Sequence, residues 1–171
     1  MIKRLKHIFK QSQMKFMCCV DTNFIEGTVL KIIEKESWKI EIKDDSRLKL
    51  LNECDCLIFV NDINIYEIKS KLLKDFNIPF DRLDEIYNSA MSYFVNIKRM
   101  KVEDIKISPP LINWMLKHRL GLNDGLLIDI AQKIELPFVT SERMAKEWKK
   151  AYNGIMSQEE FWNKIKEKQN P

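Results

Sequence analysis

The fold of this chain is decided by the stretch Phe16-Met17-Cys18-Cys19-Val20-Asp21-Thr22-Asn23. Its first five residues are all apolar and predict a short buried strand over residues 16–20. Asp21 ends that strand, and Thr22 or Asn23 can cap the helical pattern that follows. In an open parallel sheet, ligands bind outside the carboxyl ends of the strands. The stretch therefore predicts a functional sheet edge at Asp21.

Strand patterns and helix patterns alternate along the rest of the chain. Strands are predicted over residues 56–60 and 138–140, and the alternation over residues 38–42 predicts a further one. Helices are predicted over residues 48–51, 62–76, 81–97, 109–120, 124–135 and 158–168. The expected helix caps are Asn61, Asn123 and the capping box from Ser157 to Glu160. This order predicts an α/β fold, a three-layer α/β/α arrangement around a small, mostly parallel central sheet.

The composition indicates one domain. The 171 residues are 45% hydrophobic and 32% charged, with four glycines and five prolines, which leaves little material for a flexible linker. We expect a basic N-terminal extension over residues 1–15 and a single domain over residues 16–171. No apolar stretch approaches the roughly 20 residues of a membrane span, and no signal-peptide pattern follows the basic start. The expected location is the cytoplasm, without a membrane partner.

The net charge of +4 hides a segregation of charge along the chain. Residues 1–15 carry five basic and no acidic side chains, and residues 143–171 carry seven basic against four acidic ones. The middle of the chain is therefore acidic. An acidic centre with basic ends fits a metal-binding cleft flanked by segments that contact nucleic-acid phosphates. On charge alone, ordinary solvated faces explain the same pattern.

Four acids are candidates for a site. Glu142 follows the strand over residues 138–140 and is expected at the same sheet edge as Asp21. Helical geometry places Asp124 at the border of an apolar stripe, at a helix N-terminus that favours a carboxylate, although a simple capping acid is the alternative. The same geometry puts Asp129 on the solvent face. Glu67 lies off the apolar stripe of its helix, so the pattern alone predicts a solvated residue.

Other site chemistries are less well supported. A haloacid-dehalogenase-type phosphatase needs a second aspartate where this chain has Asn23. No glycine-rich phosphate loop follows a strand, which argues against nucleotide-binding classes. His7 and His118, the only histidines, lie in the basic leader and at a helix end, so a catalytic triad is poorly supported.

The cysteines are expected to be buried and chemically inert. Cys18 and Cys19 are adjacent on a predicted strand, so their side chains point to opposite faces of the sheet. At most one of them could join Cys54 and Cys56 around a metal, and the spaced pairs of a zinc site are missing. A zinc site and a disulfide remain the minor alternatives.

The chain resembles the PIN-domain family, and within it the VapC-type ribonuclease toxins. The matching stretches are Val20–Ile25, Phe59–Glu67, Leu122–Ala131 and Leu136–Glu142. Their order and context fit the family pattern, in which acids follow strands and open helices. The matches lie within residues 16–152, most of the chain. Two departures stand out, because Glu142 replaces the usual aspartate and residues 1–15 precede the usual start. Whether residues 1–13 are a true extension stays open.

The resemblance implies a PIN-like nuclease domain and a set of site residues. Asp21, Glu67 and Asp124 would bind Mg²⁺ or Mn²⁺ and serve catalysis, and Glu142 would join them directly or through water. The supporting residues would be Asn23, which orients the first acid, and Thr140, which hydrogen-bonds near the site.

The implied function is a metal-dependent endoribonuclease that hydrolyses RNA phosphodiester bonds, as the toxin of a toxin–antitoxin pair or in RNA processing. The alternative is a catalytically inactive PIN-like module that binds nucleic acid or protein. The implied partners are RNA, with an antitoxin protein and a homodimer left open. The aromatic residues Trp148, Tyr152 and Trp162 would either stack on bases or pack in the core.

Overall fold

A computed structural model describes residues 16–37, 46–54, 56–100 and 107–169. The strands are β1 (Phe16–Val20), β2 (Cys56–Asn61), β3 (Ile97–Met100), β4 (Phe138–Thr140) and β5 (Ile155–Ser157). The first helices are α1 (Thr22–Ser37), α2 (Ser46–Glu53), α3 (Asp62–Asp75) and α4 (Leu83–Ser92), with a 3-10 turn at Phe80–Arg82. The later helices are α5 (Pro109–Lys117), α6 (Leu122–Lys133), α7 (Glu142–Trp148) and α8 (Gln158–Gln169).

All strand pairs of the central sheet are parallel, in the order β3-β2-β1-β4-β5. Cys19 of β1 pairs with Phe59 of β2 on one side and with Phe138 of β4 on the other. Every residue of β2 is buried, as expected for a parallel strand that is covered on both faces. The chain builds the sheet outward from β1 to β3 and then returns to place β4 on the other side of β1. The order of strands therefore reverses between β1 and β4.

Two hydrophobic cores cover the two faces of the sheet. The first contains Cys18 and Val20 from β1, with apolar side chains of α1 to α4 and α8. The second contains Met17 and Cys19 from β1, with apolar side chains of α5, α6 and α7. The alternation of the side chains of β1 between the cores makes three layers, α/β/α. The predicted fold class is confirmed, as is the opposite orientation of Cys18 and Cys19.

The cysteines are buried, as predicted. Burial raises the pKa of Cys19 to about 12 and raises the pKa of Cys18 as well. Neither thiol is therefore ionised at neutral pH. The pKa of Cys54 is instead lowered, chiefly by a hydrogen bond with Cys56, and its Sγ lies 3.0 Å from the carbonyl oxygen of Leu51.

Three helix starts follow from local signals and are confirmed. Asn61 caps α3 through a reciprocal capping box with Asn64. Ser108 accepts from the backbone N–H of Leu111 at the start of α5. Ser157 and Glu160 form the predicted capping box of α8, with bonds of 2.8 Å and 3.1 Å.

The prediction of one long helix over residues 81–97 is wrong. Helix α4 ends at Ser92, and residues 97–100 form the edge strand β3. The Asn52 side chain stops the helix, because it donates to the carbonyl of Tyr93 (2.7 Å) and accepts from the N–H of Val95 (2.9 Å). This contact crosses more than forty residues of sequence, so a local pattern could not reveal it. The sequence pattern also misses the short strand β5.

The predicted cap at Asn123 is wrong too. Helix α6 starts two residues earlier than predicted, at Leu122, with Gly121 as its N-cap. The Asn123 side chain can thereby contact another element. The predicted strand over residues 38–42 and the basic leader over residues 1–15 lie outside the described residues. Across the part of the chain that the structure describes, no helix has both the length and the apolar character for a membrane crossing.

Candidate functional site

The candidate site lies where the strand order reverses, at the carboxyl ends of β1 and β4. A crevice forms at such a point because the helices after the two strands leave toward opposite faces of the sheet. Asp21 directly follows β1, and Thr140 ends β4. The Thr140 hydroxyl donates to Asp21 Oδ2 over 2.8 Å, and the Asn23 amide donates to the same oxygen over 3.4 Å. Both supporting residues predicted from the sequence therefore contact Asp21.

Asp21 is a buried carboxylate, and its surroundings contain groups that raise its pKa and groups that lower it. It is 4% exposed, and burial is the largest effect that raises its pKa above the ordinary value. Hydrogen bonds from Thr140 and Asn23 lower the pKa, whereas the nearby charge of Glu67 raises it. The net shift is upward, so the site opposes the charged form of this acid. A cation in the crevice would favour the charged form of Asp21 and lower its pKa.

Glu67 reaches the same crevice from α3. Its Oε2 accepts a hydrogen bond from the Thr22 hydroxyl, and its Oε1 accepts from the Asn123 amide over 2.7 Å. These bonds tie α3 to the first turns of α1 and α6. The solvated position that helical periodicity predicts for Glu67 is therefore wrong. Periodicity finds apolar faces, and this face of α3 is held by polar groups.

Asn64 supports this arrangement from beneath. It is fully buried, and its side-chain amide donates to the Thr22 hydroxyl and to the Val20 carbonyl, both over 3.1 Å. With its hydroxyl oxygen occupied as an acceptor, Thr22 directs its own proton toward Glu67. Asn64 thus connects the end of β1 to the carboxylate of α3. Sequence reasoning missed this residue, although a polar side chain among the apolar neighbours Ile63, Ile65 and Ile68 is a usable signal.

Asp124 completes the group from the first turn of α6. Its pKa is raised to about 6, first by burial and then by the charges of Asp21 and Glu67. A Cβ atom added at Gly121 would lie 3.0 Å from Asp124 Oδ2. Gly121 therefore leaves the space that the carboxylate occupies. The charges of Asp21 and Glu67 are the smaller causes of this upward shift of the pKa, so both carboxylates lie close enough to Asp124 to act on it electrostatically.

The three acids line one open cavity of about 460 Å³. Asp21, Thr22, Asn23 and Glu26 line it from the end of β1 and the start of α1, and Asn123 and Asp124 line it from the first turn of α6. Helix α3 lines the rest of the cavity with Tyr66, Glu67, Ser70, Lys71, Lys74 and Asp75. The cavity is therefore acidic at the sheet edge, and farther along α3 it contains two lysines and a further carboxylate.

The oxygen atoms that line the cavity are of the kind that binds a hard divalent cation. Carboxylate, hydroxyl and amide oxygens are the ligands that Mg²⁺ and Mn²⁺ prefer. Among the residues that the structure describes, however, no three His, Cys, Asp or Glu side chains are close enough to hold a metal as they stand. Mg²⁺ keeps several waters and is usually bound by one or two carboxylates together with substrate phosphates. The residues fit that mode of binding, and they do not form an all-protein cage.

The other predicted acids have different outcomes. The backbone of Glu142 begins α7, beyond the end of β4, but its side chain lies outside the described part of the structure. Asp129 is not on a solvent face, because its side chain is only 17% exposed and pairs with Lys133 over 2.6 Å. Helix α6 is buried on most of its sides, including at Ile128, so the single predicted stripe underestimates its contacts.

The aromatic residues singled out in the sequence are packed into the protein. Trp148 is buried, the Tyr152 hydroxyl donates to the Leu136 carbonyl over 2.9 Å, and Trp162 stacks on Phe24 with ring centroids 6.0 Å apart. Of the two uses expected for these three rings, the structure supports packing. The aromatic residue that lines the cavity is Tyr66, whose sequence neighbours gave no such signal.

No family model matches the chain, and no curated protein matches it. Among solved structures, a crystal structure of PAE2754 from Pyrobaculum aerophilum is similar, with a TM-score of 0.49 and 15% sequence identity. The match covers 92% of this chain and 94% of that chain. A likeness at this level assigns neither a family nor an activity.

Proposed function

We propose that this chain is a PIN-type endoribonuclease that hydrolyses RNA phosphodiester bonds with Mg²⁺ or Mn²⁺ bound near Asp21, Glu67 and Asp124. One observation carries the proposal: three carboxylates from three separate elements line one cavity at the reversal point of a parallel sheet. Carboxylates placed together in this way destabilise the protein when no cation is bound, as the raised pKa values of Asp21 and Asp124 indicate. Such an arrangement is typical of functional sites.

The residues of the chain have distinct tasks in this proposal. Asp21 is oriented by Thr140 and Asn23, so its carboxylate faces the cavity with little freedom. Thr22 and Asn123 hold the two oxygens of Glu67, and Gly121 gives space to Asp124. A bound divalent ion would supply Lewis-acid activation of a water molecule and would offset charge on the phosphorane-like transition state. The protein contributes the fixed positions of the carboxylates.

The test is cleavage of single-stranded and structured RNA by the full chain, with Mg²⁺, with Mn²⁺ and with EDTA. Asp21→Asn keeps the shape of the side chain but removes one negative charge, and we expect activity to fall by at least about a hundredfold. The matched control is Asp62→Asn. Asp62 also follows a strand at the same sheet edge, but it pairs with Arg99 over 2.7 Å. This control should keep its activity.

Two results would overturn the proposal. One is a folded wild-type protein that cleaves no RNA with either ion. The other is equal activity in the wild type and in Asp21→Asn. A matched DNA oligonucleotide in the same assay separates a ribonuclease from a general nuclease. Whether the protein acts as a toxin depends on an antitoxin partner, which co-purification with a co-expressed neighbouring gene product would identify.

The alternative is a PIN-like module that binds nucleic acid or protein without catalysis. One observation favours it, namely that within the described residues no three acidic side chains converge closely enough to hold a metal unaided. RNA binding by a folded protein that shows no metal-dependent cleavage would support this alternative. A titration that monitors protein stability against Mg²⁺ and Mn²⁺ concentration would show independently whether the cavity takes an ion.

A further inference from the structure

We propose that one row of side chains on α3, formed by Tyr66, Ser70 and Lys74, is a nucleotide-binding subsite that selects unpaired RNA. Tyr66 would stack on a base beside the scissile phosphate, and Lys74 would contact a flanking phosphate. The inference deepens the proposed function and rests on it, because it assigns the substrate class of the same cavity.

The geometry of the helix brings the row together. Residues 66, 70 and 74 are four apart in sequence, so their side chains follow one another along one face of α3. All of them line the same cavity as Asp21 and Asp124. With a rise of about 1.5 Å per residue, Lys74 lies roughly 10 Å along the axis from Glu67. The row therefore leads away from Asp21, Glu67 and Asp124, toward the end of the cavity that Asp75 also lines.

Tyr66 is the most informative member of the row. Its side chain is 73% exposed, so it adds little to the core, and the adjacent residue is the candidate ligand Glu67. A flat ring with a polar edge at the rim of an acidic cavity is suited to a nucleobase. Every base has an aromatic face, so stacking of this kind tolerates sequence while it requires an unpaired base. A base within a duplex cannot reach the ring without being unstacked.

The charges along α3 place the phosphate contact at Lys74. The neighbouring Lys71 is held by an ion pair with Glu26 of α1, and this pair is the largest cause of the raised pKa of Lys71. Lys74 is exposed one turn beyond Ser70, on the row that carries Tyr66. A cation at this distance from Asp21, Glu67 and Asp124 can attract a phosphate that those three acids repel, and the adjacent Asp75, which also lines the cavity, reduces the local positive charge without removing it. The Ser70 hydroxyl lies between the ring and the cation and can donate to the intervening sugar or phosphate.

The experiment measures binding of a short single-stranded RNA by the full chain in EDTA at low salt, where cleavage cannot interfere. Tyr66→Ala should weaken binding by about 5- to 100-fold, the range for the loss of one stacked base. Tyr66→Phe should restore most of the affinity. The control is Phe80→Ala, because Phe80 is 81% exposed and does not line the cavity. Its RNA affinity should equal that of the wild type.

Two further measurements separate stacking from charge. Lys74→Ala should lower the slope of log affinity against log salt by about 0.7, whereas Tyr66→Ala should leave the slope unchanged. Lys117→Ala, at the exposed end of α5, serves as the control for an ordinary surface lysine. An oligonucleotide with abasic sites should bind the wild type and Tyr66→Ala equally, and a fully duplex RNA should bind both equally weakly.

The outcomes distinguish this inference from the proposed nuclease activity. Equal binding by the wild type and Tyr66→Ala would overturn the subsite, even if metal-dependent cleavage is intact. An equal loss in Tyr66→Ala and Phe80→Ala would overturn it as well. Failure of the folded wild type to bind any of these RNAs would do the same. Binding that depends on Tyr66, in a protein that cleaves nothing with either ion, would uphold the subsite and overturn the nuclease proposal.

Discussion

Replacement of Asp124 by asparagine should make the metal-free protein more stable at neutral pH. Most substitutions of half-buried residues destabilise a protein, so this prediction opposes the usual direction. Its basis is the raised pKa of Asp124, which burial and the charges of Asp21 and Glu67 bring to about 6. The asparagine side chain would occupy nearly the same space and would carry no charge, so it would remove the repulsion while leaving the shape of the cavity unchanged.

The size of the effect follows from the proton affinity of the carboxylate. A carboxyl group with a pKa of about 6 in the folded state and 3.8 in the unfolded state destabilises the folded protein at neutral pH by about 3 kcal/mol if it is fully shielded from solvent. Asp124 is half-buried, and solvent screening together with the dipole of α6 reduces this value. We expect Asp124→Asn to raise the free energy of unfolding by about 1–2 kcal/mol. For a protein of this length, that corresponds to a rise of roughly 2–8 °C in melting temperature.

The size of the gain in stability should depend on pH, and its sign should not. Below the unfolded-state pKa of 3.8, Asp124 is protonated in the folded and the unfolded protein, and it does not oppose folding. As the pH rises from 3.8 to about 6, the unfolded protein loses this proton first, so the stability of the folded wild type falls. The gain in Asp124→Asn should therefore be near zero at about pH 4 and complete above about pH 7. Urea denaturation in EDTA at several pH values measures both quantities. Added Mg²⁺ should stabilise the wild type more than the variant, because the ion favours the ionised acids.

Asp129→Asn on the same helix is the matched control. Asp129 pairs with Lys133, so the loss of its charge should lower stability by about 0.5–1 kcal/mol at neutral pH. The two substitutions on α6 are thus expected to have opposite signs. The reasoning is refuted if Asp124→Asn is less stable than the wild type in EDTA at neutral pH. It is also refuted if the gain in stability is the same at about pH 4 and about pH 7.

Three further predictions concern other parts of the molecule. Asn61→Ala removes the capping box of α3 and should lower stability by about 1 kcal/mol in a denaturation measurement, since two backbone N–H groups lose their acceptor. Gly121→Ala places a Cβ 3.0 Å from Asp124 Oδ2 and should weaken Mg²⁺ binding in a stability titration, whereas Gly27→Ala, with nothing within 4 Å, should not. Deletion of residues 1–13 should flatten the salt dependence of RNA binding by up to about 0.7–0.9 per lost phosphate contact without changing the cleavage site, and an unchanged slope in a folded truncate would show that these charges do not contact RNA.

The parts of the fold that local sequence determines could be predicted. The capping residues Asn61 and Ser157 act on backbone groups within three positions, so their effect is visible in a short window. The buried parallel strands β1 and β2 are equally visible, because strands covered on both faces are continuously apolar. Edge strand β3 was not predictable in the same way. Its two middle residues are exposed, and the residues just before it, Val95 and Asn96, are held by Asn52 and Cys54, more than forty residues away in sequence.

The candidate site shows the same division between local and distant causes. Asp21 could be placed from one strand and the rule for parallel sheets, because both depend on neighbouring residues. Glu67 could not, since its position depends on Thr22 and Asn123, which are 45 and 56 residues away. A periodicity argument treats a charged residue off the apolar stripe as solvated, and it cannot recognise a face of a helix that lines a polar cavity.

The buried amide of Asn64 explains how such a cavity can be maintained. Three carboxylates that repel one another would separate if their elements could move. The buried side chains of Ile65, Ile68 and Leu72 pack α3 against the first core. Asn64 adds a polar restraint on the rotation of α3 about its own axis, because it bonds both the end of β1 and the hydroxyl that holds Glu67. An unpaired buried amide costs about 1–3 kcal/mol, so any rotation that breaks these bonds is opposed by an energy comparable to the repulsion between the acids. Asn64, a neutral residue in the preceding turn of α3, thus helps to hold Glu67 in the cavity. The repulsion between the acids is opposed by hydrogen bonds within the first turns of α1 and α3.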